Sequence, residues 1–136
     1  MSGVENNLMD GCYFCNPKKD NVKKQSDLSY VHLDGFPVSK YHLTVVSLRH
    51  VQSLDELTKE ELDDVWYNVL SCKKWLSELD PTIKGFNIGI NDGECAGQMI
   101  PHLHIHLIPR RVGDVKNPKG GVRNIFPQRG DWSKEI

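Results

Sequence analysis

No apolar run in this chain is long enough to cross a bilayer, so a transmembrane helix is not expected. The first ten residues are polar and hold no apolar core of a secretory leader, which makes the cytoplasm the expected setting. A dominant charge is missing too. Seventeen Lys and Arg face eighteen Asp and Glu, for a formal net charge of -1. That balance predicts no strong non-specific attraction to nucleic acid or to an anionic membrane. There are no internal repeats and no second domain boundary, and 136 residues suffice for one domain with its own core. Cysteine is sparse: Cys12, Cys15, Cys72 and Cys95. Outside a secretory setting these four do not read as a disulfide framework.

What the chain does concentrate is histidine. His102, His104 and His106 are half of its six histidines, and they alternate with Leu103, Ile105 and Leu107. Strict alternation is the period-2 pattern of a half-buried strand, imidazoles on one face and aliphatic side chains in the core. At a rise of about 3.4 Å per residue, neighbouring imidazoles are spaced by roughly 7 Å. That is too wide for all three to grip one ion, and suited to dividing labour across a phosphate. Imidazole serves as metal ligand, general acid or base, and nucleophile. Strands ordinarily carry Thr, Tyr or Val at such positions, so this row reads as a chemical site. Pro109 is expected to end the run.

Around that strand the pattern is that of a mixed domain. Residues 1–11 read as a loose tail and 12–136 as the single domain. The Cys12-x-x-Cys15 spacing fits a metal pair or a redox motif, and the loop-like Asn16 to Asn21 that follows ranks metal first. Residues 20–27 are polar and lysine-rich, most simply a solvated loop. Leu28 to Leu33 and Tyr41 to Leu48 read as an antiparallel pair across Asp34-Gly35-Phe36-Pro37. Thr58-Lys59-Glu60-Glu61 is a capping box. It opens a helix of roughly six turns at 3.6 residues each, with Val65, Val69, Cys72 and Leu76 at helical spacing and Pro81 closing it. Cys72 reads as a packed small hydrophobe, and Trp66 and Trp75 as core and rim packing. Gly85 to Asn91 is a further strand. The loop after it carries Gly93 and Gly97, where backbone amides can approach an anion closely. From about residue 112 the chain reads as an extended basic tail tied down by Phe126 and Trp132.

Ala96-Gly97-Gln98 followed by His102-x-His104-x-His106-Leu107-Ile108-Pro109-Arg110 closely resembles the histidine triad (HIT) nucleotide hydrolases and transferases. Within them it looks nearest the fragile-histidine-like branch, which hydrolyses dinucleoside polyphosphates. The resemblance covers roughly Cys12 to Gly113 and implies an α+β fold: an antiparallel half-barrel sheet with one long helix packed on it, usually as a homodimer. It implies that His104 attacks the α-phosphorus and that water then releases the nucleoside monophosphate from a nucleotidyl-histidine intermediate. The His104 nitrogen distal to phosphorus should donate to a backbone carbonyl, fixing the tautomer. His106 would hold the phosphate or orient His104, and Asn91 and Gln98 would surround the scissile bridge, with Gln98 counted among the catalytic residues. Amides near Gly97 would stabilise developing charge. Asp34 matches the ribose-binding carboxylate and Phe14 an apolar wall for the base. His32, two residues from Asp34, reads most simply as a surface histidine, with the pocket wall as the alternative.

Cys12, Cys15, His50 and His102 match a zinc-binding set found in part of the superfamily, a closed tetrahedral structural site. Magnesium is implied only as company for a polyphosphate substrate. One departure stands out: Met99 follows Gln98 where many relatives carry a phosphate-contacting Ser or Thr, and it cannot donate that hydrogen bond. Cys95 reads as a small filler. The implied activity is hydrolysis of dinucleoside polyphosphates, with a purine nucleotide as the ligand. Phosphoramidate hydrolysis, phosphorolysis, a nucleotide-binding signalling protein with little turnover and a zinc-stabilised interaction module are the alternatives.

Overall fold

Runs of β-branched and aromatic residues build the sheet. The structure, a computed structural model, describes residues 8–135; the first seven residues of the expected tail lie outside them. Strands β1 (Val22–Gln25), β2 (Ser29–Leu33), β3 (Leu43–Ser47), β4 (Ile83–Gly89) and β5 (His104–Arg111) form one sheet in the order β1-β2-β3-β5-β4. Every neighbouring pair is antiparallel. A single long helix, α1 (Lys59–Leu79), packs on the sheet, so the α+β architecture is the expected one. The triad strand sits between β3 and β4, in the interior of the sheet.

The helix starts as its capping box dictates. Thr58 accepts from the Glu61 amide at 3.1 Å, and the Glu61 carboxylate accepts from the Thr58 amide at 2.8 Å. Glu61 is also fully buried against Arg49, which donates from Nε and Nη2 at 3.0 and 2.7 Å. Burial pushes the Glu61 carboxyl up, but the Arg49 and Thr58 donors outweigh it and hold it below its ordinary value. This pair anchors the segment that carries His50. Val65, Val69, Cys72 and Leu76 then face Val31, Leu43, Val45, Ile105 and Leu107 in a closed core. Beside it, Asn68 donates to Ser26 and Ser29 at 2.8 and 2.7 Å, and Asp64 accepts from both at 2.6 Å, locking α1 to the start of β2.

Four local expectations are corrected. Residues 22–25 form an edge strand and not a solvated loop: they pair with β2 across a bulge between Val22 and Lys24, which sends Val22 to the Phe14 side of the sheet and Lys24 to Ser71 on the helix. Pro109 does not end β5. Its Cα faces Phe86 on β4, while the β3 ladder has already finished at Leu43 opposite Leu107. The side of Pro109 that would need an amide donor therefore has no strand on it, and Ser39 donates to the Pro109 carbonyl at 2.8 Å. The tail is not extended: 3-10 turns occupy Gly121–Ile125 and Trp132–Glu135, and Phe126 and Trp132 lie exposed, tying down little. Trp66 and Trp75 are both partly exposed, so only the rim assignment holds.

Candidate functional site

Strand period delivers the triad. Leu103, Ile105 and Leu107 are buried in the core, while His104 and His106 point from the opposite face. His102 lies just before the strand, where the Leu103 amide donates to the Val51 carbonyl at 2.7 Å and fixes the lead-in. The rings of His104 and His106 lean together, 5.1 Å between centroids and 78° between planes, closer than their spacing along the strand.

The hydrogen bonds assign each ring its tautomer. His104 Nδ1 lies 2.7 Å from the His102 carbonyl, which can only accept, so Nδ1 carries the hydrogen and Nε2 keeps its lone pair. His42 settles His106. The Val38 amide donates to His42 Nδ1 at 3.2 Å, so His42 carries its hydrogen on Nε2 and gives it to His106 Nδ1 at 2.9 Å. His106 is left with a hydrogen on Nε2. Burial lowers the pKa of His104, against the opposing effects of the His102 carbonyl and Asp34. Burial, with His104 and His42 adding to it, pushes His106 down to about 4. Both rings are thus neutral near pH 7, one a base and the other a donor.

Neither His42 nor its link to Asp34 was assigned from sequence. The signal was available: His42 and Thr44 alternate on one face, and Thr44 is the register partner of His106. Tyr41, a non-glycine residue with φ of 72°, makes the turn that aims His42 inward. Asp34 accepts from the Phe36 amide at 2.8 Å and from Thr44 at 2.9 Å, with His42 Nε2 at 3.5 Å. Burial alone would raise the Asp34 carboxyl; these donors and the two imidazoles bring it below its ordinary value.

A cavity of about 520 Å³ opens over these rings, within the range of small-ligand sites. Of the residues singled out in the sequence, Phe14, Asp34, Asn91, Gly97, His104 and His106 line it. Phe14 is buried, its ring 4.7 Å from that of His104. His32 is buried as well and lines the cavity, which corrects the surface assignment: the rings of Tyr13, Phe14 and Tyr30 flank it. Gln98 is not on the cavity wall. Its Oε1 accepts from the Gly93 amide at 2.9 Å, and Nε2 donates to the Gln52 and Ile100 carbonyls at 3.0 and 3.3 Å. Its side chain is a brace for the loop. The Gly97 amide is likewise engaged, donating to the Glu94 carbonyl at 2.9 Å. At φ of 95°, Gly97 is in a backbone region that favours glycine, beside the Asn91 amide group. Met99 and Cys95 are both exposed, so Cys95 fills no core space.

Behind Phe14 lies a second cluster. The ligand atoms of Cys12, Cys15, His50 and His102 all lie within 4.8 Å of one another. His102 Nδ1 is 3.5 Å from Cys12 Sγ and 3.4 Å from Cys15 Sγ, and His50 Nδ1 is 3.2 Å from Cys15 Sγ. A tetrahedral zinc with bonds of about 2.3 Å to sulfur and 2.0–2.1 Å to nitrogen sets sulfur–nitrogen edges at about 3.6 Å. The donor chemistry fits too. His102 Nε2 donates to the Ser47 carbonyl at 2.7 Å, which leaves Nδ1 with its lone pair facing the two thiols. Among the described residues these four can hold a metal ion.

The HIT domain family matches residues 16–113, from just after the Cys12-x-x-Cys15 turn to the start of the tail. The chain is 37% identical over 112 residues to a bis(5'-adenosyl)-triphosphatase of Dictyostelium discoideum, across 81% of this chain and 73% of that protein. It is 34% identical over 98 residues to an asymmetrical bis(5'-nucleosyl)-tetraphosphatase of Schizosaccharomyces pombe, across 72% of this chain and only 53% of that one. In structure it resembles a zinc-bound histidine triad family protein of Mycobacterium smegmatis, with a TM-score of 0.67 and 27% identity over 76% of this chain and 78% of the other. None of the helices among the described residues is long and apolar enough to cross a membrane. With a family match over most of its length and a relative of this similarity, the chain belongs to the HIT domain family.

Proposed function

We propose that this protein hydrolyses dinucleoside polyphosphates at the α-phosphate, with His104 as nucleophile. The observation that carries the reading is the opposite tautomers of His104 and His106 on one cavity wall. The His104 Nε2 lone pair forms a bond to the α-phosphorus while the bond from phosphorus to the bridging oxygen breaks, and the polyphosphate product departs. Water then attacks the nucleotidyl-histidine, giving the nucleoside monophosphate and freeing His104. His106 Nε2–H donates to a phosphate oxygen in both steps, and His42 keeps that hydrogen in place. Both relatives' names, a triphosphatase and a tetraphosphatase, support the substrate class.

Phe14 walls the base and Asp34, held by Thr44, offers its remaining lone pairs to the ribose hydroxyls. Asn91 faces the phosphates beside Gly97, and Gln98 positions that loop. Zinc on Cys12, Cys15, His50 and His102 is read as structural; bound there, it would hold the N-terminal turn to the strand that presents His104. Magnesium enters only with the substrate. The homodimer is supported by exposed Tyr67, Leu70 and Trp75 on α1, and light scattering tests it. Reduced thiol ligands suit a cytoplasmic setting.

The deciding experiment offers wild type and His104→Ala diadenosine triphosphate, diadenosine tetraphosphate, adenosine phosphoramidate and an adenylated lysine analogue, each with and without added phosphate. AMP release from the dinucleotides by wild type alone supports the proposal. Release only from the phosphoramidate, or of ADP with phosphate, reassigns the leaving group or acceptor. A second reading, nucleotide binding with little turnover, draws on exposed Met99 at the cavity mouth. Tight binding without AMP release would establish it.

A further inference from the structure

One polar pair in the cavity has no part in the chemistry above. His32 is buried on the cavity wall, its Nε2 2.7 Å from the hydroxyl of Tyr13, and its Nδ1 is buried with no partner among the described residues. Such a nitrogen carries a free-energy penalty that a hydrogen bond to a ligand would return. The surroundings are those of a base site: Phe14 stands edge-on at 5.7 Å, and Tyr13 lines the same wall. Asp34, the proposed ribose carboxylate, is two residues along the chain. Burial holds the His32 imidazole neutral, with Asp34 opposing only partly.

We propose that His32, oriented by Tyr13, hydrogen-bonds the polar edge of the nucleobase and is the specificity-determining residue of the site. This rests on the nucleotide reading given above. The pair has two settings. When the Tyr13 hydroxyl donates to Nε2, the hydrogen sits on Nδ1 and meets an acceptor on the base. When Tyr13 accepts from Nε2–H, Nδ1 has a lone pair for an amino group. A proton shift across the ring therefore lets one side chain serve bases with opposite edge patterns, demanding polarity more than identity.

The test measures dissociation constants by calorimetry for AMP and for the 5'-monophosphate of indole riboside, a base of similar shape with CH in place of the purine's edge nitrogens and no amino group. Wild type is expected to favour AMP by about tenfold, the value of one good hydrogen bond to a buried group. His32→Leu is expected to lose most of that preference, and His32→Gln, which keeps a donor and an acceptor, to retain part of it. Should His32→Leu not fold by circular dichroism, Tyr13→Phe carries the test, and a narrowed preference is again expected. Equal weakening of both ligands in the variants makes His32 a packing residue and overturns the inference, as does an unchanged preference. Failure of wild type to bind either nucleotide overturns the nucleotide reading, and this one with it.

Discussion

The corner around His102 and the corner around His104 are built from the same parts, yet they face opposite ways. Both rings give one N–H to a backbone carbonyl, at 2.7 Å in each case. His102 gives Nε2–H and turns a bare Nδ1 towards two thiols. His104 gives Nδ1–H and turns a bare Nε2 towards the cavity side. Leu103 alone lies between a candidate metal ligand and a candidate nucleophile, and the choice of carbonyl sets the difference. Their coverings differ as well. The His102 corner is closed, with no exposure of the ring, whereas His104 keeps a small opening to the cavity. A closed corner suits a metal that stays; an open one suits a ligand that comes and goes.

Breaking the two corners separately should give different signatures. His104→Ala is expected to remove turnover by about 10⁴-fold or more, as loss of a nucleophile does, while the thermal melt changes little. A variant within tenfold of wild type in AMP release would refute the assignment. His42→Leu leaves His106 without the hydrogen bond that sets its tautomer. A loss of about 10²-fold in kcat is expected, on the scale of one misplaced proton donor; unaltered kcat would show that His106 orients itself.

The metal corner should respond in stability and binding. Cys15→Ser, or chelation, is expected to lower the melting temperature and weaken nucleotide binding, because Tyr13 and Phe14 are carried between the two thiol ligands. Zinc analysis and a binding isotherm on the same sample check both halves. Leu76→Ala, far from either corner, is expected to cost about 2–5 kcal/mol of stability by opening the core, with kcat of the folded fraction intact. Denaturant titration beside a rate measurement separates those outcomes.

The smallest effect is on pH. His106 has its folded pKa depressed to about 4, below the ordinary 6.5, so the unfolded chain binds the extra proton between those values. Its contribution to stability is full above pH 6.5 and is lost as pH falls towards 4, with a slope of at most about 1.4 kcal/mol per pH unit. In His106→Gln that part of the denaturation profile should flatten; an identical slope would exclude His106 as its source.

Period and capping carried most of the fold in the sequence. Thr58 and Glu61 marked the helix start because a capping box is local, and Leu103, Ile105 and Leu107 marked the core because alternation is local. The four candidate metal ligands and the nucleotide wall follow from family resemblance, and the fold brings the four ligands together and all of the wall residues but Gln98. What stayed hidden depended on distant partners. The engagement of Gln98 with Gln52, the pairing of His42 with His106 and the burial of His32 under Tyr13 each join segments with no shared periodicity. Pro109 misled because a missing donor ends a strand only where a neighbour needs it, and β3 stops short of it.

The turn at Cys12 to Cys15 emerges early from the ribosome, and its thiol contacts lie far along the chain. Its thiols meet His50 across 35 residues and His102 across 87 and 90. The loop-closure cost of those contacts falls due only when the triad strand has emerged. Tyr13 and Phe14 also meet His32 and Tyr30 across 19 and 16 residues, so the two ends of this segment's contacts close loops of very different length. A nascent chain stalled before residue 102 would lack the His104 and His106 wall of the cavity and one of the four candidate metal ligands.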